Sequence, residues 1–215
     1  MMGAAAVKGS IRGLCLVVAS ILGAGDAMAV EEAAYTVTTR DGRFEIRDYA
    51  PHVVAETLVE GTLEEAGTKA FNRLFRYISG GNRSREKVAM TAPVSQQPQG
   101  EKIAMTAPVA QQRVQERWSV SFMMPASHTL ETLPTPEDPQ VALRQVPARR
   151  MAVVRYSGSW SEQGYQRNLE ELESWMRGKG LAPAGDPVWA RYNSPFSLWF
   201  LRRNEILIPV ATTVD

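Results

Sequence analysis

The sequence predicts an α+β domain with a mainly antiparallel sheet. Two observations carry this. A pair of β-rich runs occurs twice at a constant offset, and each pair is followed by one isolated, capped helix. Phe44 to Gly61 (FEIRDYAPHVVAETLVEG) lies 97 positions before Val141 to Gly158 (VALRQVPARRMAVVRYSG), so that Phe44 meets Val141, Arg47 meets Arg144, Ala55 meets Ala152 and Gly61 meets Gly158. Each copy alternates apolar and polar residues, breaks near a proline (Pro51, Pro147) and resumes as a second β-rich run.

The first helix opens on a capping box, Thr62-Leu63-Glu64-Glu65, and stops at Gly80-Gly81; the second opens at Ser159-Trp160-Ser161-Glu162 and stops near Gly178 or Gly180. The second carries a compact apolar stripe of Tyr165, Leu169, Leu172, Trp175 and Met176. In the first, Leu63, Ala66, Ala70, Leu74, Tyr77 and Ile78 form the stripe, and Phe71 and Phe75 widen it to about 180°, beyond the ~100° that covers a core. The surplus aromatics need a further surface, either a loop of the protein or a flat apolar ligand. Further strands are expected at Trp118 to Met124, Val188 to Tyr192 and Asn204 to Val210, with Leu130 to Pro139 a proline-punctuated connection between halves at about 35–125 and 140–210.

Residues 1–29 read as a secretory signal. Lys8 and Arg12 supply the positive start, Gly13 to Gly25 the apolar run, and Ala27-Met28-Ala29 the cleavage site. The apolar run falls short of the ~20 residues that span a bilayer. The expectation is an exported, periplasmic chain of residues 30–215, with no membrane insertion after cleavage. Losing Lys8, Arg12 and Asp26 takes 24 basic and 23 acidic residues to 22 of each. The single cysteine, Cys15, also goes, which excludes disulfides, thiolate haem ligation and cysteine-based metal sites. Balanced charge and 44% apolar content exclude disorder, and the absence of a basic excess argues against a nucleic-acid partner.

No phosphate loop, dinucleotide fingerprint, zinc helix or nucleophile elbow occurs, and no catalytic constellation is found. The two histidines, His52 and His128, sit in settings that read as exposed, with haem-iron ligation the alternative for His52. Lys87–Val94 (KVAMTAPV) and Lys102–Val109 (KIAMTAPV) form a short tandem repeat around a polar SQQPQGE turn; Met90 and Met105 read as core fillers. In Ala190 to Val210 (ARYNSPFSLWFLRRNEILIPV), Phe196 to Phe200 is an apolar loop that needs a cover. Arg202 and Arg203 either pair with Glu205 or another carboxylate, or form a cationic rim for an acidic ligand.

AMTAPV after a Gly-Gly-Asn helix end, followed by the YNSPF–RRNEI–IPV tail, resembles the SOUL haem-binding family, and the doubled unit is similar to its bacterial members. The resemblance runs from about Tyr35 to Pro209. It implies a distorted, barrel-like antiparallel sheet from two duplicated β-α-β-β halves, flanked by two helices. It also implies non-covalent binding of haem or another tetrapyrrole in an apolar groove beside the first helix. By position the groove residues are Phe71, Leu74, Phe75, Ile78, Phe196 and Ser197, with Arg76 at the polar edge. Some animal members carry a histidine directly after the EIR run; here Asp48 stands there, with His52 four residues on. Ring burial and propionate–arginine contacts are then the expected mode, with the metal ligand unknown and His52 a candidate axial ligand. The expectation is a monomer that binds its tetrapyrrole reversibly for transport, buffering or sensing. Two alternatives stand beside it. One is a gyrase-inhibitor-like module binding another small amphipathic molecule, whose cationic-ligand version should carry buried glutamates at its groove. The other is a tetrapyrrole-processing enzyme, for which Asp48, His52 and Glu56 are the nearest bases in sequence.

Overall fold

The computed structural model describes residues 30–85 and 100–211. The leader read at residues 1–29 and the first AMTAPV unit, with Met90, lie outside the described residues.

In chain order the elements are β1 (Tyr35–Asp41), β2 (Phe44–Tyr49), β3 (His52–Val59), α1 (Leu63–Ile78), β4 (Asn82–Arg83), β5 (Val109–Val114), β6 (Arg117–Met123), β7 (Thr135–Pro136), β8 (Ala142–Val146), β9 (Arg149–Tyr156), α2 (Glu162–Gly178), β10 (Val188–Arg191) and β11 (Asn204–Pro209). Nine strands form one curled antiparallel sheet in the order β1-β2-β9-β11-β10-β5-β6-β3-β8, and β4 pairs with β7. The two β-rich pairs seen in the sequence do not close on themselves. β2 pairs with β9 and β8 with β3, so each pair lends a strand to the other. β3 and β9 are both eight residues long and start 97 positions apart.

Strand alternation gives the sheet two faces. One face lies under the helices: Ile46, Ala55, Phe122, Ala152, Val154, Trp189, Ile206 and Ile208 join the buried residues of α1 and α2 in one core. α1 packs on β3 and β6, and α2 on β9 and β11. The α1 capping box is present in both directions, with Thr62 accepting from the Glu65 amide and Glu65 accepting from the Thr62 amide. The α2 cap is Ser161, two residues later than Ser159 where the capping signal begins, and it accepts from the Gly164 amide.

The opposite face carries a smaller apolar cluster of Met151, Val153, Ala190 and Leu207, flanked by Tyr49, Val188 and Tyr192. Beside it Arg47 donates to both Glu205 oxygens, at 2.8 and 3.1 Å, and to Glu45 at 2.6 Å. Arg203 reaches Glu205 at 3.0 Å and Glu32 at 2.8 Å, and the Tyr192 hydroxyl donates to Glu205 at 2.8 Å. Every buried charge in this network has a hydrogen-bonded partner, which is what makes such burial tolerable.

Two local expectations change. The second AMTAPV unit is not a strand before Val109: Ile103 and Thr106 are buried, Thr106 donates to the Met123 carbonyl, and Met105 is exposed rather than a core filler. The proline-punctuated segment Leu130 to Pro139 contributes to the core through Leu133 and is tied in by the Tyr77 hydroxyl, which donates to the Pro134 carbonyl at 2.9 Å. The Gly-Gly-Asn helix end has a mechanical reason. Asn82 donates to the carbonyls of Tyr77 (2.7 Å) and Glu101 (2.8 Å) and accepts from the Glu101 amide (2.9 Å), clamping the chain that returns at Gly100.

Candidate functional site

One hydrogen-bonded row crosses the helix-covered face at the end of the sheet from which the β10–β11 loop springs. Its residues are Ala55, Phe122, Val109, Arg191, Asn204 and Tyr156. Phe71 rests edge-on against Phe122, with centroids 5.4 Å apart, and stacks on Phe75 at 5.8 Å. Arg191 lies two strands from Phe122, about 10 Å at the usual strand spacing. The α1 aromatics and the loop that follows Arg191 therefore occupy the same end of the molecule.

That loop displays apolar side chains outward on a polar frame. Phe196 is 94% exposed, and Leu198, Trp199, Phe200 and Leu201 lie between 52% and 67%. Asn193 accepts from the Arg203 amide at 2.6 Å, and the Ser194 carbonyl accepts from the Ser197 amide at 3.0 Å. Arg202 donates to the carbonyls of Ser197 (2.9 Å) and Pro195 (2.7 Å) while its guanidinium lies over Trp160. Gly158 donates to the Trp199 carbonyl, fixing the loop to the approach to α2. These bonds fix the backbone that carries the exposed apolar side chains.

Arg191 is the electrostatic anomaly of this end. It sits over the rings of Trp160 and Trp189, hydrogen-bonds Gln111, and makes no ion pair among the described residues. Its Nε is buried without a partner. Burial lowers its pKa to about 10.

The sequence-derived groove residues divide. Phe75 is 47% exposed, Phe71 is half-buried, and Phe196 and Ser197 belong to the loop. Leu74 and Ile78 are buried in the common core, so their apolar area is already used. Arg76 lines a separate polar cleft of about 240 Å³ with Arg73, Glu137 and Asp138, where two carboxylates already face the two arginines. Arg202 and Arg203 satisfy carbonyls and carboxylates of the protein itself and form no rim. Asp48 and Glu56 are held in bidentate pairs with Arg150 and Arg144. Sequence reasoning did not single out Arg191 or Trp160; the signal available was an arginine immediately before the YNSPF loop.

His52 lies elsewhere. It lines a cavity on the helix-free face, together with Tyr49, Met123, Met151, Tyr192 and Leu207, and its Nδ1 lies 3.0 Å from the Ala50 carbonyl. It cannot ligate a group seated on Phe71 and Phe75, because the sheet stands between them.

A family model described as SOUL heme-binding protein matches residues 30–209. Heme-binding protein 2 of Homo sapiens is 28% identical over 174 residues, covering 76% of this chain and 80% of that protein. The protein of the same name from Mus musculus is 26% identical over 184 residues, covering 81% and 85%. Among solved structures, a hydrolase from Listeria innocua matches with a TM-score of 0.55 at 13% identity over 81% of this chain and 94% of that one. The EcmrR C-terminal domain matches with a TM-score of 0.56 at 10% identity over 83% and 98%. At these identities the two structures share the fold alone with this chain.

Proposed function

The chain belongs to the SOUL heme-binding protein family, and from that premise we propose that it binds a haem-type tetrapyrrole reversibly on the shelf between α1 and the β10–β11 loop. The single observation that carries the reading is the Phe196–Leu201 loop, an ordered frame that exposes five large apolar side chains at the same end as Phe75. Apolar patches of this kind mark binding surfaces. A tetrapyrrole offers two apolar faces and a carboxylate edge, and the shelf offers aromatic rings with one guanidinium that has no carboxylate of its own. Phe71, Phe75, Phe196 and the aliphatic part of the loop take the ring, while Arg191 receives a propionate as a charge-assisted hydrogen bond. With His52 on the other face, the macrocycle is held by burial and propionate contact rather than by that histidine.

The bound iron would supply whatever redox or ligand chemistry the haem carries; the protein's own part is to hold and release it. The proposed role is that of a monomeric periplasmic carrier, buffer or sensor rather than a catalyst, a reading supported by the leader pattern in the sequence at residues 1–29 and by the engagement of Asp48 and Glu56 in ion pairs. A cationic-ligand module would need a free buried carboxylate at its groove. Glu205 is buried, yet Arg47 and Arg203 already neutralise it.

The test is a hemin titration of the purified protein, followed at the Soret band. Phe75→Ala and Phe196→Ala should each weaken binding by about 1–3 kcal/mol, or roughly 5- to 150-fold. Unchanged affinity in both variants rules out the shelf.

A further inference from the structure

We propose that the cavity on the helix-free face is a second ligand site, for a small monocarboxylate with an apolar body the size of one ring or a short acyl chain. It goes beyond the tetrapyrrole reading, since it lies across the sheet from Phe71 and Phe75. Three observations assign its occupant.

The first is charge. No aspartate or glutamate lines the cavity, whereas Arg144, Arg149 and His52 do. Arg144 is neutralised by its bidentate pair with Glu56, at 2.8 and 3.0 Å. Arg149 is exposed and has no ion pair among the described residues. The anion-binding capacity of the rim is thus one free guanidinium, which suits one carboxylate rather than two.

The second is the chemistry of the floor. Met123, Met151 and Leu207 supply apolar, adaptable surface. The Tyr192 hydroxyl is spent as a donor to Glu205, whereas the Tyr49 hydroxyl accepts from Arg47 and keeps its own proton; both residues add ring surface to the cavity. The His52 Nδ1–H donates to the Ala50 carbonyl, which orients the ring at the cavity wall.

The third is size. The cavity volume of about 150 Å³ matches the space that takes a single benzene ring in an apolar interior. A single ring, or a short acyl chain of similar bulk, is of that size.

The experiment labels the methionine methyls of the full protein with ¹³C and titrates hexanoate, its neutral analogue 1-hexanol, and hemin. Hexanoate should shift the Met123 and Met151 methyls saturably. Arg149→Gln should weaken hexanoate about tenfold, leave 1-hexanol unchanged and leave the hemin Soret titration unchanged. The proposal is overturned if hexanoate leaves both methyls unmoved, or if Arg149→Gln weakens hexanoate and hexanol equally. It is also overturned if hemin itself saturates these methyls, which would place the macrocycle on this face and refute the shelf as well. Loss of hemin binding in Phe75→Ala with hexanoate unaffected supports both sites independently.

Discussion

Arg47 and Glu205 face each other as a bidentate ion pair on the helix-free side of the sheet, with side chains 2% and 0% exposed. They come from strands 158 residues apart in sequence, brought within reach because β9 lies between β2 and β11. Burial pushes the Glu205 carboxyl up, but the hydrogen bonds and charge of Arg47, with Arg203 behind it, outweigh this and hold it below the usual carboxylate range. Removing one partner strands a buried charge, so Arg47→Met should cost about 3–5 kcal/mol in urea unfolding. The half-exposed Asp48–Arg150 pair is the internal control, and Asp48→Asn should cost less than about 1 kcal/mol.

The same pair fixes the sign of the acid response. The Glu205 pKa is depressed in the folded state, so its contribution is present above the ordinary value of 4.5 and is lost as pH falls through the lower folded value. Glu205→Gln should flatten the loss of stability below pH 4.5, measured as unfolding free energy against pH. An unchanged slope would remove Glu205 as its source.

Gly100 and Gly80 make the second test. A Cβ on Gly100 would overlap the Gly80 carbonyl oxygen and stand 2.9 Å from the Asn82 carbonyl, both of them backbone atoms that cannot rotate away. Gly100→Ala should therefore destabilise by about 1–3 kcal/mol, as overpacking does. Gly178→Ala meets nothing nearby, so it should be neutral or stabilising in the same thermal melt.

The helices and their neighbours were legible for local reasons. Thr62-Leu63-Glu64-Glu65 states its own cap, and β3 and β9 start 97 residues apart, the offset read between the two β-rich runs. What pairs with what was not legible, because the exchange of β2 and β8 between the two β-rich pairs is a non-local choice. For the same reason Arg47 and Glu205 look like solvent-facing alternates in their own strands; only pairing shows a second buried face. Phe75 and the Phe196 loop announced themselves as apolar surplus. Leu74 and Ile78 belong to the core stripe that the helical period already set apart from Phe71 and Phe75, and they are buried there; only the family resemblance had placed them in the groove.

Arg191 offers a prediction in which stability and affinity part. A buried guanidinium with no carboxylate destabilises the empty protein, and burial lowers its pKa to about 10. Arg191→Met keeps the aliphatic packing between Trp160 and Trp189 and removes the charge. Relief of the buried charge is offset by loss of the hydrogen bond to the buried Gln111 oxygen, so the expected outcome is near-unchanged stability in denaturant but about tenfold weaker hemin binding, with less salt dependence. A variant that loses stability and keeps its affinity would show that Arg191 is structural.

Arg202 separates apolar area from preorganisation at the loop. Its guanidinium bonds the Ser197 and Pro195 carbonyls and lies over Trp160, so it fixes the backbone that projects Phe196 and Trp199. Trp199→Ser removes exposed apolar surface without touching that frame; it should leave stability within about 0.5 kcal/mol and weaken hemin. Arg202→Ala leaves every apolar side chain in place but frees the loop, so any loss of affinity must come from ordering the loop on binding. Faster proteolytic cleavage between Ser194 and Leu201, with weaker hemin binding in the same variant, is the expected pair of results. Faster cleavage with unchanged affinity would mean that the ring is held by α1 alone.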